Sequence, residues 1–178
     1  MEEEWLDVVN DEDEVIGRDL KSNKSEKRFL SRNVAVYLQT KEGHFVMVQR
    51  AAHKKIEPLK FDLSACGHVQ SGETYDQAAR RELLEEVGVH APLQLIGKRR
   101  TSIPIDDGEP LEFLTSIYHG VHNGPFTINE ESADLRMMTF VELQEALIET
   151  PDMFCGPFLE DFAMTHKELL RLQKRFEY

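Results

Sequence analysis

GHVQSGETYDQAARRELLEEVGV, residues 67–89, reads as a loop that feeds a helix. Thr74 is a good N-cap, and Gln77 three residues later completes a capping box. Ala78, Ala79, Arg80, Arg81, Leu83 and Leu84 favour helix, and Gly88 stands where a helix commonly stops on a left-handed residue. A helix is therefore expected from about Thr74 to Val87.

At about 100° per residue, Glu82, Glu85 and Glu86 share an arc of roughly 100°, while Leu83, Leu84 and Val87 fill a separate one. One face enters a core and the next is nearly all carboxylate. Like charges three or four residues apart cost a helix a few tenths of a kcal/mol per pair. A bound divalent cation would offset that cost. Oxygen donors without Cys or His suit a hard ion such as Mg²⁺ or Mn²⁺, and ions of this kind work on phosphates. The other reading of the same face is a solvated acidic helix.

Position for position, the stretch resembles the signature of the Nudix hydrolase family. That pattern is Gly, five residues, Glu, seven residues, then Arg-Glu-apolar-x-Glu-Glu-x-Gly-apolar, and Gly67, Glu73, Arg81, Glu82, Leu83, Glu85, Glu86, Gly88 and Val89 fill it without departure. Average composition would produce such a match in fewer than about one chain in a hundred thousand. The resemblance implies an α/β/α sandwich with a mixed sheet, where composition alone gives only mixed α and β.

Outside this stretch, 178 residues suffice for one ordinary domain. The expected division is a core over about 30–150, an N-terminal hairpin over about 4–20 and a C-terminal helix over about 157–176. A formal charge of −12 argues against attraction to a nucleic-acid backbone or an anionic membrane, so bound phosphate must be met by metal or by a local basic cluster. Two cysteines, Cys66 and Cys155, cannot build a disulfide framework or a zinc site alone. With no signal-peptide pattern or apolar run of membrane-spanning length, a reducing, cytoplasmic setting is expected.

In chain order, Trp5–Val9 and Val15–Arg18 flank a polar turn and read as a hairpin, and Lys21–Lys27 as a linker or exposed short helix. Arg32–Gln39 and His44–Arg50 form a second hairpin, and Phe61–Cys66 a strand leading into Gly67. Leu93–Ile103 and Leu111–Tyr118 pair around Asp106-Asp107-Gly108, and Phe126–Ile128 is a candidate edge strand. Val141–Ile148 reads as a helix, and Pro157–Phe176 as an amphipathic helix whose apolar face could serve a homodimer interface. Arg50, Lys54 and Lys55 form a basic cluster suited to holding phosphate.

Carried over by motif position, the resemblance implies metal ligation by Glu82, Glu85, Glu86 and the Gly67 carbonyl. Glu82 is the first choice for also orienting the attacking water. Arg81 orients a neighbouring carboxylate, and Glu73 steadies the loop or pairs with Arg81. Glu112, or Glu130 and Glu131, would supply a carboxylate from outside the helix. The implied activity is Mg²⁺-dependent hydrolysis, with Mn²⁺ as substitute, of a diphosphate linkage in a small nucleoside diphosphate or its derivative. Tyr37, Phe45, Phe61, Phe113 and Tyr118 are candidates to recognise the attached group, or core residues.

Cys66-Gly67-His68, the opening WLDVVNDEDEVIGR and Glu112 are also similar to isopentenyl diphosphate isomerase, where a cysteine and a glutamate move a proton and histidines help hold metal. No histidine precedes His44, however, and Pro110 stands where a second glutamate belongs. Hydrolysis is the expectation, with Cys66 a buried small residue at a strand end. A non-catalytic nucleotide-binding module is a further alternative.

Overall fold

The computed structural model of the chain describes residues 3–105 and 108–173. Its N-terminal hairpin joins β1 (Trp5–Val9) to β2 (Val15–Leu20), and Leu6 and Val9 of β1 are buried beneath it. A short turn leads to α1 (Lys24–Lys27). Lys24, expected in an exposed linker, is 3% exposed. Its Nζ donates to the Phe29 and Glu112 carbonyls at 2.5 and 2.9 Å and lies 4.2 Å from the Phe113 ring centroid. Burial pulls its pKa down to about 8.

The apolar run of β3 (Ser31–Gln39) makes it central, with both faces covered. It pairs in parallel with β8 (Leu111–Val121), from Ser31↔Phe113 to Gln39↔Val121. On its other edge it meets β4 (Phe45–Arg50) at Gln39↔Phe45, after which the two strands diverge. β6 (Ala65–His68) fills the β3 side of that fork. β5 (Phe61–Asp62) and β9 (Ser132–Met138) pair with β4. β7 (Leu93–Ile103) borders β8, completing a seven-stranded mixed sheet among the described residues.

The strand expected over Phe61–Cys66 is thus two pieces. Ser64 between them accepts the Leu38 N–H at 2.9 Å and donates to the Val46 carbonyl at 2.5 Å, bridging β3 and β4 where they part. Residues 126–128 are irregular, and the strand near them is β9, which lacks β-branched and aromatic residues.

Because successive strand residues face opposite ways, β3 serves two cores. Val34, Val36 and Leu38 meet Ala78, Ala79, Leu83 and Val87 of α2 (Tyr75–Val87). Ala35 and Tyr37 meet Phe140 and Leu143 of α3 (Phe140–Glu149) and Phe158, Phe162 and Leu169 of α4 (Gly156–Gln173). The result is the expected α/β/α sandwich. The apolar positions Phe158, Phe162, Leu169 and Leu172 of α4 are buried; Asp106, Asp107 and Phe176 lie outside the described residues. No helix among the described residues is long and apolar enough to cross a membrane.

Candidate active site

The site is built where β6 ends and α2 begins. Thr74 caps α2 with the full capping box, and Gly88 closes it in the left-handed region at φ 72°. At Gly67 a Cβ would lie 2.1 Å from the Glu82 carboxyl, so any larger residue would push that carboxylate out of its place against the backbone.

Glu82 is 9% exposed and accepts from Arg81 Nη1 at 2.6 Å. Burial raises its pKa against the pull of Arg81. Glu86 accepts the Cys66 N–H at 3.3 Å, and burial together with the nearby Glu82 pushes its carboxyl up to about 8. The more exposed Glu85 pairs with Arg81 at 3.2 Å. Arg81 also donates to both Glu73 oxygens, at 2.8 and 2.9 Å, and to the His68 carbonyl at 2.9 Å. Glu73 accepts the Gln70 N–H at 3.0 Å, and despite burial these contacts hold its pKa below the usual range.

No three His, Cys, Asp or Glu side chains among the described residues already converge as a metal cage. Arg81 draws Glu82 and Glu85 to itself. The donor set nonetheless fits a hard divalent cation: it is oxygen throughout, and Glu86 is a half-buried carboxyl beside another with one long hydrogen bond from a neutral amide.

A cavity of about 290 Å³ opens beside Glu82, Glu86 and Gly67. Arg50 and Lys54 line it, but exposed Lys55 is not among its lining residues. Arg50 Nε donates to the Ile56 carbonyl at 3.1 Å, and Lys54 Nζ lies 2.7 Å from Glu131. Lys21 also lines the cavity, although its polar connector carried no sequence signal for it. The inner wall adds Asp62 and Asp161 to Ile103, Leu111 and Phe113.

Glu112 is not brought to this cluster. Leu111, Phe113 and Thr115 line the cavity, so strand alternation turns Glu112 to the opposite face of β8, where it pairs with Arg100. Glu131 does line the cavity, and Glu130 borders the adjoining mouth with Glu82 and Glu85. Asn129, donating to the Glu85 carbonyl at 3.0 Å, ties that loop to α2. Of the aromatic candidates Phe113 reaches the cavity, whereas Tyr37, Phe45, Phe61 and Tyr118 are buried in the cores. Cys66 is more than a small core residue. It lines the cavity, accepts from Asn33 Nδ2 at 3.5 Å, and burial raises its thiol pKa.

A capped helix whose glutamates crowd a glycine of the preceding strand, in an α/β/α sandwich, defines the Nudix class. The chain belongs to that family: the NUDIX domain model matches residues 30–162. It is 39% identical to a Nudix hydrolase from Deinococcus radiodurans over 87 residues, 49% of this chain and 51% of that protein, so it spans about half that relative's length. An isopentenyl-diphosphate Delta-isomerase from Serratia proteamaculans is 28% identical over 161 residues, 88% of each chain. A solved Deinococcus radiodurans protein superposes with a TM-score of 0.68 at 26% identity, covering 83% of this chain and 90% of that one.

Proposed function

We propose that this protein is a divalent-cation-dependent hydrolase of phosphoric anhydrides, acting on a small nucleoside diphosphate or a derivative of one. The observation that carries this reading is the pairing, across one cavity, of buried Glu82 and half-buried Glu86 with Lys21, Arg50 and Lys54. Glu82, Glu85, Glu86 and the Gly67 carbonyl would hold Mg²⁺ or Mn²⁺, which when bound neutralises phosphate charge and acidifies water.

The chain's own residues do the rest. Arg50, Lys54 and Lys21 meet the phosphate oxygens and orient the diphosphate. Glu82 orients the attacking water and accepts its proton as oxygen bonds to phosphorus and the bridging P–O bond breaks. Arg81, fixed by Glu73, holds Glu82 in place. The attached group enters past Phe113 toward Asp62 and Asp161, which pair with Arg50 and Arg99. The cavity volume lies at the lower end of the range for small-molecule sites, which suits one compact group.

Isomerisation of isopentenyl diphosphate is the second reading, favoured by Cys66 facing the cavity and by the long match to the Serratia isomerase. Its counterpart Glu112 faces away, so the proton-moving pair is not assembled. A panel of nucleoside diphosphates and their derivatives, with isopentenyl diphosphate included, would be assayed with Mg²⁺, with Mn²⁺ and with chelator. Cation-dependent release of phosphate or a nucleoside monophosphate is expected. Conversion of isopentenyl to dimethylallyl diphosphate without hydrolysis would replace this reading with the second.

A further inference from the structure

The β1–β2 hairpin precedes the residues matched by the family model, yet it holds the carboxylate site at two points. At the first, β1 runs beside the loop before α2. Leu6 bridges to Gln70, and the Ser71 N–H donates to the Trp5 carbonyl at 2.8 Å. The Ser71 hydroxyl donates to Asp7 Oδ1 at 2.7 Å, and the Gly72 N–H approaches Asp7 Oδ2 at 3.5 Å. At the second, the turn residue Asp13, at φ 65°, accepts from Arg32 Nε at 2.6 Å and from the hydroxyl of Tyr75, the first residue of α2, at 3.0 Å.

From Asp7 the contacts run without a break to the site. Ser71 and Gly72 lie in the turn that Gln70 closes with Glu73; Glu73 grips Arg81, and Arg81 grips Glu82 and Glu85. We infer that the hairpin is a positioning element for the carboxylate site, with Asp7 its positioning residue: through Ser71 it fixes the turn that sets Glu73 and hence the Arg81–Glu82 pair. This rests on the metal-dependent reading above. Arg32 of β3 forms an ion pair with Asp7 Oδ2 at 3.7 Å, while Asp7 Oδ1 takes the shorter Ser71 bond, so the carboxylate joins the loop to the central strand.

The test compares Asp7→Ala, Ser71→Ala and Asp7→Asn with Ile16→Ala, a control on the outward face of the same hairpin, where Ile16 is 66% exposed. Mn²⁺ binding to substrate-free protein and amide exchange at Ser71–Glu73 are the readouts. Asp7→Ala and Ser71→Ala should each weaken Mn²⁺ binding about 10-fold, as loss of a group supporting metal ligands commonly does. They should also speed exchange at those amides roughly 3- to 10-fold, with β3 and β8 unchanged. Asp7→Asn, which keeps an acceptor for the Ser71 hydroxyl, should recover most of both, and Ile16→Ala should match wild type. Should Asp7→Ala not fold, Ser71→Ala removes the same bond from the other end. Both readouts staying within twofold of wild type in Ser71→Ala overturns the inference. A wild type that binds no Mn²⁺ sinks the metal reading instead, and with it the functional half of this inference.

Discussion

The two faces of the sheet are packed by different chemistry. Under α3 and α4, aromatic rings meet in series: Phe154 and Phe158 centroids are 5.4 Å apart, Phe158 and Phe162 6.0 Å, and Phe140 and Phe162 5.8 Å. Under α2 the contacts are Ala78, Ala79, Leu83 and Val87. Small side chains let α2 lie close to the strands, which is what brings Glu82 onto Gly67. Aromatic burial and ring contacts stabilise one face, whereas the other keeps crowded carboxylates that burial disfavours. Ring packing is concentrated on the α3–α4 side of β3, while α2 supplies the site's glutamates and Cys66, Phe113 and Asp161 from the α4 side help to wall its cavity.

The sharpest way to break that contrast is to exchange single groups. Glu82→Gln should lower kcat by about 10² to 10⁴, the scale of a general acid–base step. Its melt should stay close to wild type, because an amide of the same shape removes a carboxyl that burial disfavours. Activity should likewise vanish with chelator and return with Mg²⁺. Full rates for Glu82→Gln, or for chelated protein, would remove the chemistry from this face.

On the other face, Phe158→Ala should cost about 3–5 kcal/mol in denaturant unfolding, since Phe158 is fully buried among rings. The folded fraction should keep wild-type kcat. A large kcat loss in folded protein would mean that the faces are coupled.

Lys24 sharpens the comparison through pH. Its folded pKa of about 8 lies below its ordinary value of 10.5, so between those limits the unfolded chain binds more protons than the folded one. This contribution to stability is least favourable below pH 8 and recovers as pH rises toward 10.5. The span is about 3 kcal/mol at most. Comparing unfolding free energies of wild type and Lys24→Met from pH 7 to 10.5 isolates it. The wild type should gain on the variant across that window, and parallel curves would exclude it.

The smallest effect concerns Cys66. Because hydrolysis asks no proton of the thiol, Cys66→Ala should keep cation-dependent turnover within roughly tenfold, any loss reflecting packing beside Gly67. Abolished turnover, measured on the same substrate, would move Cys66 into the chemistry.

What was legible in residues 67–89 was local. The cap at Thr74, the stop at Gly88 and the carboxylate arc depend on neighbours within one or two turns, so periodicity and capping chemistry were enough to place them. The pairing of Glu73 with Arg81 was an expectation carried by the family resemblance, beside a loop-steadying role, and Glu73 makes both contacts. β9 was missed although Ala133, Leu135 and Met137 alternate with Ser132, Asp134 and Arg136, because the run has no β-branched or aromatic residue, and pairing with β4 compensates for that weak local preference.

The sequence by itself determined the elements, the box helix with its ligand-type residues, and the class of fold those imply. The tertiary structure alone decided which side of each element meets the site. Glu112 and Phe113 are adjacent in a strand covered on both faces, and no pattern in Leu111–Tyr118 says which parity faces the cavity; pairing with β3 and β7 settles it. The same holds for Lys24, whose burial depends on carbonyls from Phe29 and Glu112, and for Lys21, which reaches the cavity because the hairpin docks beside Gln70. These are contacts between residues distant in the chain, and local preference carries no information about them.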